Sequence, residues 1–368
     1  MDVHIREIQS ADASKWDAYV HSHPRATLYH LYGWRTVLEK AYGHKTCYLA
    51  ATNSTNPVNS SNSTNPIIGL LPMVHLKHVL FGNTLISMPF FDLGGILADD
   101  EKTEQALLNH AIRLGKKMKA STIELRHAQP LSCLNSTNSI NPTNPASVAT
   151  RSNKVRMLLN LPNSSDYLMK SFKSKLRSQI KKPMKEGLVA KIGGFELIQD
   201  FYHVFSVNMR DLGSPVHSSR LMKSVLDEFP KHARIVMVYG THGPMACSLI
   251  MGFKDTLENP WASSLRQYSR LSPNMLLYWS MLAYACDNGF IRFDFGRSTP
   301  GEGTCRFKKQ WGAQPYPLHW HYIFLKGHRP ADAPDHRSRF ESLVRYWQKL
   351  PVPVTRLIGP LIRKHIGL

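Results

Sequence analysis

Hydrophobic and polar positions follow the same succession of patterns in both halves of the chain. Apolar residues at helical spacing predict helices, whereas alternating or β-branched runs predict strands. In the first half the predicted elements are a strand at 3–8, helices at 13–21 and 31–42, strands at 45–51, 67–76 and 84–88, a helix at 101–119, and strands at 121–126 and 155–161.

The second half repeats this order from Glu196 onward. Its predicted elements are helices at 196–210 and 220–229, strands at 235–239, 245–253 and 261–264, a helix at 274–286, and strands at 291–295 and 318–325. The shared order predicts a mixed α/β (α+β) chain with two similar units. We place their bounds at residues 1–165 and 166–330, with a basic tail at 331–368.

Two low-complexity tracts interrupt the pattern in the first half. Residues 52–66 and 135–147 consist mostly of Asn, Ser, Thr and Pro, a composition that does not build a hydrophobic core. Each tract lies between predicted strands, so we interpret both as expanded surface loops.

A strongly basic segment separates the two halves. Residues 171–187 (SFKSKLRSQIKKPMKEG) predict a helix with a thin apolar stripe at Leu176 and Ile180 and a bend at Pro183. Like charges four residues apart repel each other in an isolated helix. This favours a bound anion over the alternative, a solvated helix that links two domains.

A glycine-rich segment, residues 293–312 (FDFGRSTPGEGTCRFKKQWG), follows a predicted strand in the second half. Glycine allows positive φ and close approach of the backbone to a ligand. Arg297, Arg306 and Lys308 bracket this segment, so we predict that it binds an anionic or acyl substrate. A sharp turn with solvated charges is the alternative.

Composition adds a charge imbalance to this picture. The 368 residues include 46 Lys and Arg against 26 Asp and Glu, a formal net charge of +20. Such an excess favours anionic partners, whether nucleic acid, phosphorylated sugars or an acidic membrane surface.

The five cysteines are scattered, and the eighteen histidines lack metal-binding spacing. We therefore expect neither a disulfide framework nor a metal site. The first residues lack an apolar leader, and no apolar run is long enough to span a bilayer, so we expect a cytoplasmic protein.

The tail is both apolar and basic. Residues 336–350 predict an amphipathic helix, and a second short segment covers 355–368. Nine Lys or Arg against three acids from residue 326 onward suit contact with anionic lipid at an inner membrane. A tail docked on its own domain is the alternative that we keep open.

No nucleophile elbow, P-loop or dinucleotide fingerprint is present. This favours group transfer that depends on positioning and electrostatics. Attack on an activated acyl group needs a cation or N–H donor for the oxyanion and an acceptor for the proton of the nucleophile. Lys308, Arg306 and Arg297 are candidates for the first role, and Asp294, Asp211 and His217 for the second. Asp294 has a structural alternative, a salt bridge to Arg292 or Arg297.

Several motifs resemble the FemAB-like branch of the GNAT acyltransferases, in particular the FemAB-related proteins of exosortase/PEP-CTERM and exopolysaccharide systems. The resemblance covers roughly residues 1–325 and the tail. The motifs that carry it are R-x-x-I-K-K-x-x-K-E-G at 177–187, F-K-x-x-x-G at 307–312, HPRATLYHLYGW at 23–34, MRDLGSPVH at 209–217, PWASSLRQY at 260–268 and NMLLYW at 274–279.

The resemblance implies two tandem GNAT-like subdomains with the site in the cleft between them. It implies acyl or aminoacyl transfer involving Phe307 and Lys308, with acyl-CoA or aminoacyl-tRNA as co-substrate and no permanently bound cofactor. Tyr268 lies in one of its motifs and is a further candidate for substrate binding. The basic helix would contact the tRNA or a nucleotide-linked substrate through Lys173, Lys175, Arg177, Lys181 and Lys182.

Three hypotheses follow. The first is an acyltransferase that acts on an anionic cell-envelope or exopolysaccharide precursor, either lipid-linked or nucleotide-linked. The second is a nucleic-acid-binding protein, which the net charge supports. The third is a GNAT-like scaffold that binds a polysaccharide intermediate without catalysis.

Overall fold

The computed structural model describes residues 3–53, 66–134, 147–325 and 337–367. Nearly all of both low-complexity tracts, as well as the linker at 330–335, lie outside the described residues. Clustering of contacts divides the chain into two compact units. The first comprises Met1–Lys154, Pro317–Ala331 and His365–Leu368, and the second comprises Val155–Tyr316 and Asp332–Lys364.

Most elements up to residue 154 are those that the apolar pattern predicts, whereas two short strands, at 97–98 and 147–151, were not predicted. In chain order they are β1 (Val3–Glu7), α1 (Ala13–Ser22), α2 (Gly33–Tyr42), β2 (Lys45–Asn53), β3 (Ile67–His78), β4 (Gly82–Ile86), β5 (Leu97–Ala98), α3 (Glu101–Lys117), β6 (Thr122–His127) and β7 (Ser147–Arg151). Local signals set several ends: Gly43 takes a left-handed φ of 68° after α2, and the Asp100 side chain accepts the Thr103 N–H to cap α3.

The remaining elements begin with a strand and two helices. They are β8 (Val155–Asn160), α4 (Ser165–Ser171), α5 (Ser174–Lys185), β9 (Val189–Gly193), α6 (Ile198–Asp211), α7 (Ser219–Glu228), β10 (Ala233–Gly240), β11 (Gly243–Phe253), β12 (Thr256–Ser264), α8 (Pro273–Asp287), β13 (Arg292–Ser298), α9 (Gly303–Lys309), β14 (Gln314–Pro317), β15 (His319–Phe324), α10 (Arg337–Lys349) and α11 (Val352–Arg363). The basic segment, 171–187, thus lies mostly in α5, which continues through Pro183.

Each unit is built on one mixed sheet. The strand order is β1-β2-β3-β4-β6-β15-β7 in the first unit, with β5 added to β3, and β14-β8-β13-β12-β11-β10-β9 in the second. Each sheet contains a parallel pair, β4 with β6 in the first and β12 with β13 in the second. A helix connects the two strands of each pair, α3 in the first unit and α8 in the second. This shared arrangement confirms the predicted α/β fold with two similar units.

The predicted unit bounds differ from this division at two strands. We expected residues 155–161 to belong to the first unit, but β8 pairs with β13 in the second sheet. We expected residues 318–325 to close the second unit, but β15 pairs with β6 and β7 in the first sheet. Alternation of apolar residues predicts that a segment is a strand, but it does not say which sheet the strand joins.

Each sheet buries its own hydrophobic core. In the first unit α3 packs Leu107 and Ala111 onto the sheet. In the second, α5 and α8 contribute Ile180 and Leu277 to a core that includes Phe293 of β13. The five cysteines are buried free thiols. No helix in the described part of the chain has both the length and the apolar character to cross a bilayer.

Candidate functional site

A wedge opens in the second sheet where its parallel strands diverge. β12 and β13 are paired only over three positions, from Thr256 opposite Arg292 to Glu258 opposite Asp294. Beyond these pairs β12 continues along β11 to Ser264, and β13 continues along β8 to Ser298. The two strands therefore leave a gap in the sheet, which neighbouring helices border.

A pocket of about 740 Å³ lies at this wedge. Five parts of the second unit line it: the end of β12 with the loop that follows, the first turn of α8, α9, the end of α6, and Gln348 of α10. Its volume is within the range typical of small-molecule sites. We call it the wedge pocket.

The first turn of α8 gives the wedge pocket a positive end. Ser272, Pro273 and Asn274 line the pocket, and Pro273 is at the first helical position. Backbone N–H groups at a helix N-terminus attract anions, and the helix dipole adds to the effect. The exposed Arg266, in the loop before α8, also lines the pocket. This corner suits a phosphate or another anionic group.

Lys308 places a cation against the diverging strand. It lies on α9, is 8 % exposed, and lines the wedge pocket. Its ammonium group donates to the carbonyl oxygens of Gly296 at 3.1 Å and Arg297 at 2.8 Å. Both carbonyls lie just past the last β12–β13 pair. We predicted Lys308 within a segment that resumes after a glycine loop, and the structure shows a short helix there instead.

An aromatic group forms one wall of the wedge pocket. Tyr278 of α8 stacks on Phe295 at 5.6 Å and meets the edge of Phe307 at 5.0 Å between ring centroids. Its hydroxyl hydrogen-bonds Asn259, but burial dominates and raises the pKa of Tyr278 to about 12. The phenol is therefore a neutral hydrogen-bond donor near pH 7. Tyr278 and Phe307 both line the pocket.

Asp211 is the one predicted proton acceptor that lines the wedge pocket. It lies at the end of α6, and its carboxylate accepts a bond from Arg210 at 2.6 Å. Gln348 donates to the backbone carbonyl of Asp211 at 3.0 Å.

Asp294 is buried away from the residues that line the wedge pocket. Its carboxylate pairs with Arg156 of β8, which also lies 3.7 Å from Glu258. The other carboxylate oxygen accepts the Gly296 N–H at 2.7 Å, where the backbone has a φ of 73°. The expected partners were Arg292 or Arg297, but Arg292 pairs with Asp255. In this structure Asp294 shapes the end of β13.

His217 is also outside the wedge pocket. It is 2 % exposed, and Arg363 of α11 donates to its Nε2 at 3.2 Å. Burial, followed by the charge of Arg363, holds the pKa of His217 well below its usual range. Its ring contacts Trp261 edge-on at 6.1 Å.

The other predicted anion-binding residues of this region are dispersed. Arg306 is exposed and donates to the Gly301 carbonyl at 2.8 Å. Arg297 lies on β13 opposite Arg156 of β8. Tyr268 is half-buried in the loop before α8 and packs against the core. None of the three belongs to the described lining of the wedge pocket.

A second groove, of about 1030 Å³, lies between α4, α5 and the end of α9. Lys173, Lys175 and Lys309 line it together with Trp311, and its described lining contains no carboxylate. We call it the lysine groove. The Arg177 guanidinium donates to the Phe172 carbonyl oxygen at 2.9 Å, and the Lys182 ammonium donates to the Arg270 carbonyl oxygen at 2.7 Å. Lys181 is exposed outside the lining.

The predicted set did not include Tyr278, Asn259 and Arg266. The motifs PWASSLRQY and NMLLYW contain Arg266 and Tyr278, so a signal was present in the sequence. The motifs did not single them out, because Arg266 and Tyr278 come together at the pocket only through the divergence of β12 and β13, which is a tertiary feature.

The first unit closes the corresponding wedge with its own side chain. Beyond the β4–β6 pairs, the buried Arg126 donates to the backbone carbonyls of Met88 and Phe91. Its guanidinium lies 4.6 Å from the ring centroid of Trp320. The open wedge of the second unit is therefore the better candidate for ligand binding.

Comparisons with known proteins identify a domain in the second unit. Residues 170–309 match the model of the acetyltransferase (GNAT) domain. The search of curated proteins returned no match.

Solved structures with the same fold extend over both units. The crystal structure of FemX aligns with a TM-score of 0.63 at 15% identity and covers 93% of this chain and 100% of its own. The C-terminal domain of a putative lysylphosphatidylglycerol synthetase from Agrobacterium fabrum has a TM-score of 0.55 at 10% identity and covers 87% and 99%. A tandem GNAT protein from the clavulanic acid biosynthesis pathway aligns with a TM-score of 0.54 at 11% identity. This alignment covers 89% of this chain and 100% of the tandem GNAT protein.

At these identities the structural matches show the fold, and the domain match adds the class of reaction. The structure has two GNAT-like units, and the domain match covers most of the second, including the wedge pocket from Asn208 to Lys308. The chain therefore carries a GNAT acetyltransferase domain over residues 170–309 and is an enzyme of the acyltransferase class.

Proposed function

We propose that the protein transfers an acyl or aminoacyl group from an activated donor in the wedge pocket to an amine or hydroxyl of an anionic cell-envelope or exopolysaccharide precursor. The observation that carries this proposal is the fixed ammonium group of Lys308 beside the diverging strands. A preorganised cation stabilises the negative charge that develops on a carbonyl oxygen during acyl transfer.

The groups that line the wedge pocket suit this reaction. The nucleophile forms a new bond to the acyl carbon, the bond from that carbon to the leaving sulfur or oxygen breaks, and the nucleophile loses a proton. Lys308 is placed to steady the oxyanion, and Asp211 to accept the proton. Tyr278 holds a proton that it can give to the leaving group, because its pKa is about 12. Phe307 shapes the acyl end of the pocket.

The positive corner at the start of α8 favours a donor with phosphate groups. Both acyl-CoA and aminoacyl-tRNA have them, and the lysyl group in the name of the lysylphosphatidylglycerol synthetase supports keeping an aminoacyl donor beside acyl-CoA. Either donor binds as a co-substrate rather than as a resident cofactor.

The lysine groove is our candidate for the anionic part of the acceptor. Its three lysines are exposed and form no ion pair with a described residue. Lys308 and Lys309 are neighbours on α9, so the groove begins one residue from the proposed oxyanion site. We place the acceptor in a PEP-CTERM/exosortase-associated exopolysaccharide system at the cytoplasmic side of the inner membrane, which the resemblance of the motifs supports.

The test is transfer from radiolabelled acetyl-CoA and aminoacyl-tRNA, each offered separately to a purified lipid-linked or nucleotide-linked glycan. We expect product with one donor and its loss in Lys308→Ala. A Lys308→Ala enzyme with unchanged transfer would refute the site. If neither donor gives product but the glycan still binds, the result would point to the binding-only scaffold. Mass spectrometry of the native glycan with and without the protein identifies the acceptor.

A further inference from the structure

Two C-terminal helices expose large apolar side chains. On α11, Val354, Leu357 and Leu361 recur at the spacing of one helix face, and Leu357 is 73 % exposed. On α10, Leu343 and Tyr346 are three residues apart and 60 % and 71 % exposed. A cluster of this kind marks an interaction surface more often than isolated surface leucines do.

The opposite face of α11 is docked on the second unit. Thr355 is buried, and a side chain at Gly359 would meet the backbone of Val216 at 3.1 Å. Arg356 donates to the Ser206 hydroxyl at 2.8 Å, and Arg363 donates to His217. The two alternatives predicted for the tail are thus compatible: the helix docks by its inner face and leaves an apolar outer face.

α10 is held in the same way. Arg210 of α6 donates to the Leu350 carbonyl at 3.1 Å, and Gln348 donates to the Asp211 carbonyl at 3.0 Å. These bonds attach the C-terminal end of α10 to the end of α6, while Leu343 and Tyr346 stay exposed. The outer face therefore belongs to a helix that is docked on the second unit.

The charge of α10 and α11 is mostly positive. Residues 337–367 contain one acid, Glu341, and seven basic residues: Arg337, Arg339, Arg345, Lys349, Arg356, Arg363 and Lys364. Arg356 and Arg363 donate inward, whereas Arg345 and Lys349 are exposed on α10 beside the apolar positions. Apolar side chains next to cations complement a membrane surface with anionic headgroups.

We propose that the outer face of α10 and α11 binds the surface of an anionic phospholipid membrane. The helices lie in the plane of the interface, with Leu343, Leu357 and Leu361 inserted among the acyl chains and Tyr346 at headgroup depth. A symmetric contact between two copies would place like charges opposite each other. This inference goes beyond the proposed function and does not depend on acyl transfer.

The experiment is flotation of the full chain with vesicles of phosphatidylcholine alone or mixed with phosphatidylglycerol. We expect flotation with the mixed vesicles and little with the neutral ones. Leu357→Asn/Leu361→Asn should lower partitioning about tenfold or more, because two inserted side chains are lost. Val189→Asn/Ile291→Asn is the matched control, since both residues are exposed apolar positions elsewhere in the second unit. Circular dichroism verifies the fold of each variant.

Three outcomes overturn the proposal. The first is absence of flotation with the mixed vesicles. The second is equal flotation of both double variants. The third is a dimer in sedimentation velocity that Leu357→Asn/Leu361→Asn dissociates, since this would assign the face to a second copy. A Lys349→Gln variant with weaker binding at low salt but unchanged binding at high salt would support the role of charge.

Discussion

The ammonium nitrogen of Lys308 lies 2.8 Å from the carbonyl oxygen of Arg297. Arg297 is on β13, beyond the point at which β12 has diverged. Lys308 therefore has two roles. It donates to the backbone of β13 where β12 no longer pairs with it, and it holds a positive charge at the wall of the wedge pocket. A cation fixed in this way needs little reorganisation during a reaction.

Replacement of Lys308 by Ala should affect both roles. We expect kcat to fall about a hundredfold or more, as for loss of an oxyanion donor. The free energy of unfolding should fall by about 1–3 kcal/mol, because two partly buried carbonyls lose their donor. The effect on kcat is measured by kinetics at saturating donor concentration. The effect on stability is measured separately by urea unfolding. Lys309→Ala, an exposed neighbour, is the control for stability. If Lys308→Ala loses stability but keeps kcat, the lysine is structural.

Asp294→Asn should act on stability rather than on chemistry. It removes the nearer of the two carboxylates that pair with the mostly buried Arg156 and leaves Glu258 at 3.7 Å, so we expect the free energy of unfolding to fall by about 2 kcal/mol. Denaturant unfolding measures it. A variant that folds as well as the parent but has lost transfer would instead restore Asp294 as a catalytic residue.

Tyr278→Phe tests the phenol at the wedge pocket. The pKa of about 12 keeps the hydroxyl protonated at neutral pH, so it can donate throughout that range. Without it we expect kcat to fall about a hundredfold, typical of a lost general acid, with little change in donor affinity. The control is Tyr284→Phe, on the same helix but outside the pocket lining. Equal rates for both variants would remove Tyr278 from the mechanism.

The buried histidine pair of the first unit should make stability depend on pH. Rings of His127 and His321 lie 5.3 Å apart between centroids. Burial, with a smaller contribution from His319, lowers the pKa of His321 to about 4. Below pH about 6.5 the unfolded chain takes up a proton that the folded form excludes. For His321, stability is therefore greatest above pH about 6.5 and declines as the pH falls toward 4, by up to about 1.4 kcal/mol per pH unit from this one group.

Urea unfolding over a pH series checks this slope. In His321→Gln the decline should be shallower, while a change at the exposed His242 should leave it as in the parent. A slope that is the same in all three proteins would contradict the assignment to His321.

The sequence alone determined the local features of this protein. Apolar periodicity predicts most helices and strands of both halves, because burial of one face depends on residues close together in the chain. Motifs around residues 177–187 and 307–312 predict the GNAT-like class. The net charge, and the amphipathic character of the tail, also follow from residue types alone.

Only the tertiary structure decided how distant segments combine. It placed β8 and β15 in sheets that the chain order does not suggest, and it paired Asp294 with Arg156, 138 residues away. It also brought Tyr278, Arg266 and Lys308 to one pocket, because β12 and β13 separate after three pairs. Strand pairing and side-chain burial depend on contacts between residues far apart in sequence, which no local pattern specifies.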